Sequence, residues 1–300
     1  MNFLRRRHEP SPGRGPRSAA VPRDDWMAKE LAIDGIEMSF VAPADDHYLT
    51  HMGRGGPIDL LPIFDAFCSP QHGTVDVGAN IGITATIAAR RSSAVIAVEP
   101  IPETFACLRH NVDRHGLDRV HPVRCAAGAS PSVTSMFVHK GWGFGAFVGY
   151  EDAAARYVDF SEIEVPVRTL DDIADELRMD SIAFIKTDTE GFELEVLAGA
   201  RDILRRDQPV VFLEVNHYCL NVFRRMSIVT FTEEVCGTFE SVYAVDLDFQ
   251  VVDLQQPSTH QHFFHENVVN ERFPNLLCGP RRKVEHGLAM LPSPDRGSGS

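Results

Sequence analysis

Short apolar runs alternate with stretches of helical period from Thr74 to about Val245. Val75–Val77, Ala94–Val98, Val120–Ala126, Ile182–Thr187 and Val210–Val215 are brief and rich in β-branched residues, so each reads as a buried strand. Between them the period changes. A helix follows Val77 and runs to Arg90 and Arg91. Another spans Pro102–His115: Pro102 suits a first helical position, Gly116 suits the stop, and Phe105, Leu108 and Val112 share a face. Asp171–Leu177 reads as a short helix. Gly191–Arg206 reads as a longer one with Phe192, Val196, Leu197, Ala200, Ile203 and Leu204 on its apolar side, and Asn221–Thr238 as partly helical. Ser241–Val245 and Phe249–Leu254 are strands joined by a short turn, hence an antiparallel pair. This order predicts an α/β fold: a doubly wound, mostly parallel seven-stranded sheet with an antiparallel C-terminal hairpin, of the Rossmann-like kind.

Around this core the chain divides into residues 1–25, a basic arm rich in Arg, Pro and Gly and read as disordered; 26–70, a strand–turn–strand bending at Gly35 followed by a short helix at Pro57–Phe67; 71–254, the α/β domain; and 255–300, read as loop-rich with a flexible tail. Ser130–Val167 breaks the alternation. Its GWGFGAFVGY run (Gly141–Tyr150) suggests a loop or strand pair over the mouth of a site, or an ordinary surface hairpin, and Trp142, Phe144 and Tyr150 could stack on a sugar ring. A formal net charge of −13 gives a nucleic-acid partner little support. None of the six cysteines forms a C-x-x-C pair and most lie in apolar runs, which points to buried reduced thiols. The arm has no apolar run for a signal peptide and no stretch reaches the ~18 apolar residues of a membrane span, so a cytoplasmic protein without a membrane partner is expected. Oligomeric state is not legible.

The chemistry concentrates in Val75–Glu99. A strand ends at Asp76-Val77-Gly78, a tight turn Ala79-Asn80-Ile81-Gly82 opens a helix, and the next strand ends at Glu99, 21 residues beyond Gly78. Ligands bind at the carboxyl ends of parallel strands, and an acid at about that distance meets a ribose hydroxyl pair. Asp76, Glu99, Ala126, Asp188 and Asn216, all at strand tips, are expected to converge on one crevice. Asn80 stands where a dinucleotide fingerprint wants its second glycine, and the strand-tip acid repels phosphate but suits an ammonium or sulfonium. The motif therefore favours S-adenosylmethionine over NAD.

These residues resemble the FkbM family of methyltransferases. The resemblance rests on VDVGANIG (Val75–Gly82), VEP (Val98–Pro100), the Thr169-Leu170-Asp171 turn, IKTDTEGFELEVLAGA (Ile185–Ala200) and the strand Pro209–Glu214, and covers about residues 70–245. Thr187 and Thr189 depart from it, standing where aliphatic residues are common. It implies a class I methyltransferase fold and O-methylation of a hydroxyl on a sugar, polyketide or similar small molecule. It further implies that Glu99 accepts both ribose hydroxyls and that Gly78 and Gly82 let the backbone approach the methionine part. Asp76 would bind the amino group, Asn80 the carboxylate or the turn itself, and Ala126 would lie near the adenine.

An aliphatic hydroxyl needs its proton removed during transfer, so a base is expected near the acceptor. Asp188 and Glu190 are the first candidates and His217 a third. Asp188 could instead cap the helix near Gly191, Glu190 could favour the helix start, and His217 could be an ordinary packed histidine. Asp188, Glu190, Glu214 and Asn216 would also offer Mg²⁺ the oxygen ligands it prefers. The rival readings are an NAD-linked oxidoreductase, an inactive methyltransferase-like binding protein, and amino methylation of DNA or protein. For the last, the Asn/Asp-Pro-Pro-aromatic tetrapeptide is missing from Lys186–Gly191.

Overall fold

The computed structural model describes residues 25–44, 47–50, 56–139, 146–148 and 160–292. The expected basic arm, apart from Asp25, and the aromatic residues Trp142, Phe144 and Tyr150 lie outside them. Strands β1 (Trp26–Ile33) and β2 (Ile36–Pro43) form an antiparallel hairpin about the Asp34–Gly35 turn. A helix at Leu61–Phe67 leads to β3 (Gly73–Val77), a helix at Ile83–Ala89 to β4 (Val95–Val98), and a helix at Pro102–Arg114 to β5 (Val120–Val123). The chain then builds a separate sheet from β6 (Ala126–Ala127), β7 (Ser132–His139), β8 (Ala146–Val148) and β9 (Phe160–Arg168). It returns through a helix at Leu170–Glu176 to β10 (Ile182–Thr187), then through Glu193–Ala198 and Arg201–Asp207 to β11 (Val210–Glu214). Helices His217–Phe223 and Ile228–Thr238 precede β12 (Ser241–Val245) and β13 (Val251–Asp253); helix His260–Asn270 precedes β14 (Asn275–Gly279), and helix Arg281–Leu288 follows it.

The main sheet has the order β13-β12-β14-β11-β10-β3-β4-β5. The five strands from β11 to β5 are parallel, as their sequence pattern requires, and β14, β12 and β13 extend the sheet through antiparallel pairings. Both faces are covered. Val95 and Ala97 of β4 enter one apolar cluster with Ile83, Ile87 and Leu108, while Ile96 and Val98 enter the other with Val75, Ile185 and Val196. Burial on both faces explains the near-continuous apolar strands.

Four expectations need correction. The sheet has eight strands, because β14 inserts between β11 and β12. It comes from the 255–300 segment expected to be loop-rich, which instead carries a helix, that strand and another helix among its described residues. Its buried apolar side chains are only Leu276, Leu277 and Cys278, too few to show a period. The single helix expected over Gly191–Arg206 is two, broken at Gly199, where a Cβ would come within 2.1 Å of the Gly128 carbonyl oxygen. Asp171 caps the second of them by accepting from the Asp202 and Ile203 amides, both at 3.0 Å. The third strand stops at Val123, and Ala126 belongs to the second sheet, paired with Val167 of β9.

Asn111 ties the N-terminal hairpin to the core. Fully buried on helix Pro102–Arg114, it accepts from the Val41 amide at 2.9 Å and donates to the Val41 and Ile81 carbonyls at 3.0 and 2.8 Å. Replacing it leaves three buried backbone groups unpaired, each costing about 1–3 kcal/mol. Asn111→Ala is therefore expected to destabilise the fold by about 3 kcal/mol in denaturant unfolding, and a loss below about 1 kcal/mol would contradict the assignment.

Candidate active site

The carboxyl ends of β5, β4, β3, β10 and β11 open into one cavity of about 420 Å³, an ordinary size for a small-molecule site. Gly78, Asn80, Glu99, Ala126, Asp188, Glu190, Glu214 and Asn216 all line it. Asp76, Gly82 and His217, also expected there, do not.

At the β4 tip, Glu99 receives two backbone amides: Asn80 N–H donates to Oε2 at 3.1 Å and Ile101 N–H to Oε1 at 2.9 Å. A carboxylate has about four acceptor positions, so each oxygen keeps one for a hydroxyl. Burial lifts the Glu99 carboxyl to about 7 against the pull of these amides. Asn80, at φ +51°, turns its side chain onto the turn itself, accepting from Ile81 N–H at 2.7 Å. Gly78, at φ +74°, is pressed against the next loop, and a Cβ there would lie 1.9 Å from the Asp188 carbonyl oxygen. Gly82, at φ +93°, serves packing instead: a Cβ would meet Leu108 Cδ1 at 2.6 Å.

Asp76 is wholly buried. Its Oδ2 accepts from Thr84 at 2.7 Å and its Oδ1 faces the Lys186 ammonium at 3.5 Å, so both oxygens look into the protein. Lys186, with a side chain only 4% exposed, also donates to the Gly78 carbonyl at 3.2 Å and lies 3.2 Å from Asp188 Oδ2. Asp188 is different: its side chain is 41% exposed and opens to the cavity. Burial works to raise its carboxyl, but the Lys186 ammonium and a hydrogen bond with Glu214 hold it below the ordinary carboxylate value. Asp188 does not cap a helix, since the following helix starts at Glu193 behind Phe192.

Glu193, missed in the sequence, fastens this loop. Its Oε1 accepts from the amides of Thr189 at 2.9 Å and Gly191 at 3.3 Å and from the Thr189 hydroxyl at 2.8 Å. The loop carries Glu190 at φ +54°, a left-handed conformation costing a non-glycine residue about 1–2 kcal/mol. Glu190 Oε2 accepts from Asn216 Nδ2 and from the Cys219 thiol, both at 2.9 Å. Burial first, then the Asp188 charge, raises the Glu190 carboxyl to about 7. Burial and both neighbouring acids push Glu214 well above its ordinary value. Oxygens of Asp188, Glu190 and Glu214 lie within 4.8 Å of one another, a spacing that suits a shared cation or a shared proton. The expected fourth magnesium ligand, Asn216, is already spent: it donates to Glu190 and its Oδ1 caps helix His217–Phe223. That cap turns His217 onto the helix and out of the cavity lining.

The second sheet closes the cavity from above. Met136 of β7 and Val148 of β8, register partners, line it with Phe192. The Arg224 guanidinium sits 4.8 Å from the Phe192 ring centroid and pairs with Glu195, which holds the ring in place. Part of the interrupted Ser130–Val167 segment thus forms a wall of the site. Alternating Met and Val in a strand was the available signal, but it does not show which face meets a ligand.

A doubly wound sheet with an acid at the second strand tip, a glycine turn at the first and an acidic loop at the fourth defines a class I methyltransferase domain. A family model, the methyltransferase FkbM domain, matches residues 76–233, and the chain belongs to that family. Methyltransferase 1 of Beauveria bassiana (strain ARSEF 2860) is 26% identical over 144 residues, covering 43% of this chain and 58% of that protein. Protein-L-isoaspartate O-methyltransferase 2 of Marinobacter nauticus (strain ATCC 700491 / DSM 11845 / VT8) is 30% identical over 113 residues, covering 36% and 47%. The chain thus spans about half the length of the curated relatives it matches. The crystal structure of methyltransferase FkbM from Methylobacillus flagellatus KT is 21% identical with a TM-score of 0.40, over 57% of this chain and 38% of that one. No helix among the described residues is long and apolar enough to cross a membrane.

The raised carboxyls set a stability trend. Glu99 and Glu190 hold protons in the fold up to about pH 7, whereas their ordinary value is 4.5, so the folded chain binds more protons between those limits. The stability these two groups contribute therefore falls as pH rises through that window. Glu99→Gln removes one buried charge and is expected to stabilise the ligand-free protein at pH 8 by on the order of 2 kcal/mol and not at pH 4. Equal unfolding midpoints for the two proteins at pH 8 would contradict the burial of a charged Glu99.

Proposed function

We propose that this protein is an S-adenosylmethionine-dependent O-methyltransferase acting on a hydroxyl of a small molecule or sugar. The observation that carries the reading is one cavity holding Glu99, with acceptor positions for two hydroxyls at one end, and the Asp188–Glu190–Glu214 cluster at the other. The residues suit the cofactor. Glu99 would hold the ribose, Ile101 and Cys125–Ala127 offer an apolar bed for the adenine, and Gly78 lets the backbone come close to the methionine part. When bound, the cofactor supplies a methyl group already activated by its sulfonium, so the protein's task is to position the acceptor and receive its proton.

Glu190 fits the second task better than its neighbours. A general base works best with a pKa near the working pH. Glu190 lies near 7, Asp188 is held below its ordinary value by the Lys186 ammonium, and Glu214 is pushed well above its own by burial and its acidic neighbours. With a hydroxyl acceptor placed beside the bound cofactor, Glu190 would receive the hydroxyl proton. Asn216 and Cys219 orient that carboxyl, and Met136, Val148 and Phe192 shield the site from water. An NAD-linked reaction has less support, because the turn offers Asn80 and an acid where a pyrophosphate would need room and amides.

Two measurements test the reading. Glu99→Ala is expected to weaken S-adenosylmethionine binding by about tenfold or more in calorimetry, and unchanged affinity would remove Glu99 from the site. In a screen of glycans and polyketide alcohols for S-adenosylhomocysteine release, the rate with an active acceptor is expected to climb with pH through about 7 as Glu190 ionises. Glu190→Gln should lower kcat by about 10²-fold or more. A flat profile, or a Gln variant as fast as the parent, would exclude Glu190 as the base.

A further inference from the structure

We propose that Asp188 reads the positive charge of the methyl donor and so distinguishes the donor from its spent, neutral product. This rests on the cavity being an S-adenosylmethionine site. The sequence assigned the donor's charged part to Asp76, and the structure withdraws Asp76 from that role: it is buried and off the cavity wall, with Oδ2 accepting from Thr84 and Oδ1 facing the Lys186 ammonium at 3.5 Å. Lys186 then stands between two acids, Asp76 on the inner side and Asp188 on the cavity side. The carboxylate of the two that meets the cavity is Asp188. Its side chain is 41% exposed, and Gly78 lets its loop press directly onto the cofactor turn.

The order of strand tips places that carboxylate along the ligand. Cys125 and Ala126 follow β5, Glu99 ends β4, Gly78 follows β3 and Asp188 follows β10. Adjacent strands lie about 4.8 Å apart, so Glu99 and Asp188 are separated by two spacings, roughly 10 Å. A nucleoside with its base toward β5 and its ribose on Glu99 must send its 5′ substituent over β3 toward β10. The sulfur of the donor is the first atom of that substituent. S-adenosylmethionine carries a sulfonium there, S-adenosylhomocysteine a neutral thioether, and the two share every other charge. Transfer of the methyl group therefore removes the charge that Asp188 attracts and loosens the product.

Calorimetry in EDTA with S-adenosylmethionine, its cationic analogue sinefungin, and S-adenosylhomocysteine tests this without any acceptor. Asp188→Asn is expected to weaken the two cationic ligands by about tenfold or more and the neutral one by less than about threefold. Asp76→Asn is expected to show no such split. Equal weakening of all three ligands by Asp188→Asn, or a split produced by Asp76→Asn instead, overturns the proposal while leaving the cofactor reading standing. If none of the three binds the wild-type protein, both fall together. Should Asp188→Asn not fold, carboxyl-labelled wild-type protein decides: the Asp188 ¹³C resonance should shift with sinefungin and much less with S-adenosylhomocysteine, and equal shifts overturn the proposal.

Discussion

The site is organised around one buried ammonium. Lys186 lies on the central strand β10, paired in register with Asp76 of β3, and its charge has almost no access to water. Such a charge is tolerated only when acids and carbonyls surround it, and stripping away one partner typically costs about 3–5 kcal/mol. Asp76, Asp188 and the Gly78 carbonyl supply that surrounding. The same contacts lock the end of β3 to the end of β10, joining the glycine turn to the acidic loop. Fixing one charge thus fixes the relation between the two halves of the cavity.

The acids nearest to it diverge for the same reason. Asp188 touches the ammonium and is held below its ordinary value, whereas Glu190 and Glu214 lie further along the tip, where burial and then the like charge of Asp188 make them hold protons more tightly. Carboxyls side by side with separated proton affinities are suited to different tasks, one electrostatic and one in proton transfer. The left-handed backbone at Glu190 belongs to this arrangement. It is held by Glu193 beneath the loop and by Asn216 and Cys219 from the β11 side, a local cost that the surrounding hydrogen bonds offset.

The parallel core was legible because each of its strands is buried on both faces and therefore apolar from end to end. Glu99 was legible because its spacing from Gly78 is set by one strand–helix–strand unit. Convergence of Glu99, Ala126, Asp188 and Asn216 on one cavity followed from topology, since strand tips of a parallel sheet share an edge, whereas the meeting of the Asp188, Glu190 and Glu214 oxygens was not legible from spacing. Side-chain direction was not legible. Asp76 and Glu99 are both acids at strand ends, yet one faces Thr84 and Lys186 and the other the cavity, a distinction of pleat and register that a motif does not carry. Gly82 reads like Gly78 but answers to Leu108. The expectation for His217 failed because Asn216 is a helix cap, which redirects the next residue. β14 was hidden because three buried apolar side chains give no periodicity, and the wall formed by Met136 and Val148 because it depends on how β7 pairs with β8 and β9.

The most direct test is a crystal structure of the protein soaked with S-adenosylhomocysteine. The two ribose hydroxyls should lie within hydrogen-bonding distance of the two Glu99 oxygens, with the adenine beside Cys125–Ala127 and the sulfur over the β3–β10 junction near Asp188. A nucleoside lying elsewhere, or one in this cavity with its ribose turned away from Glu99, would contradict the account.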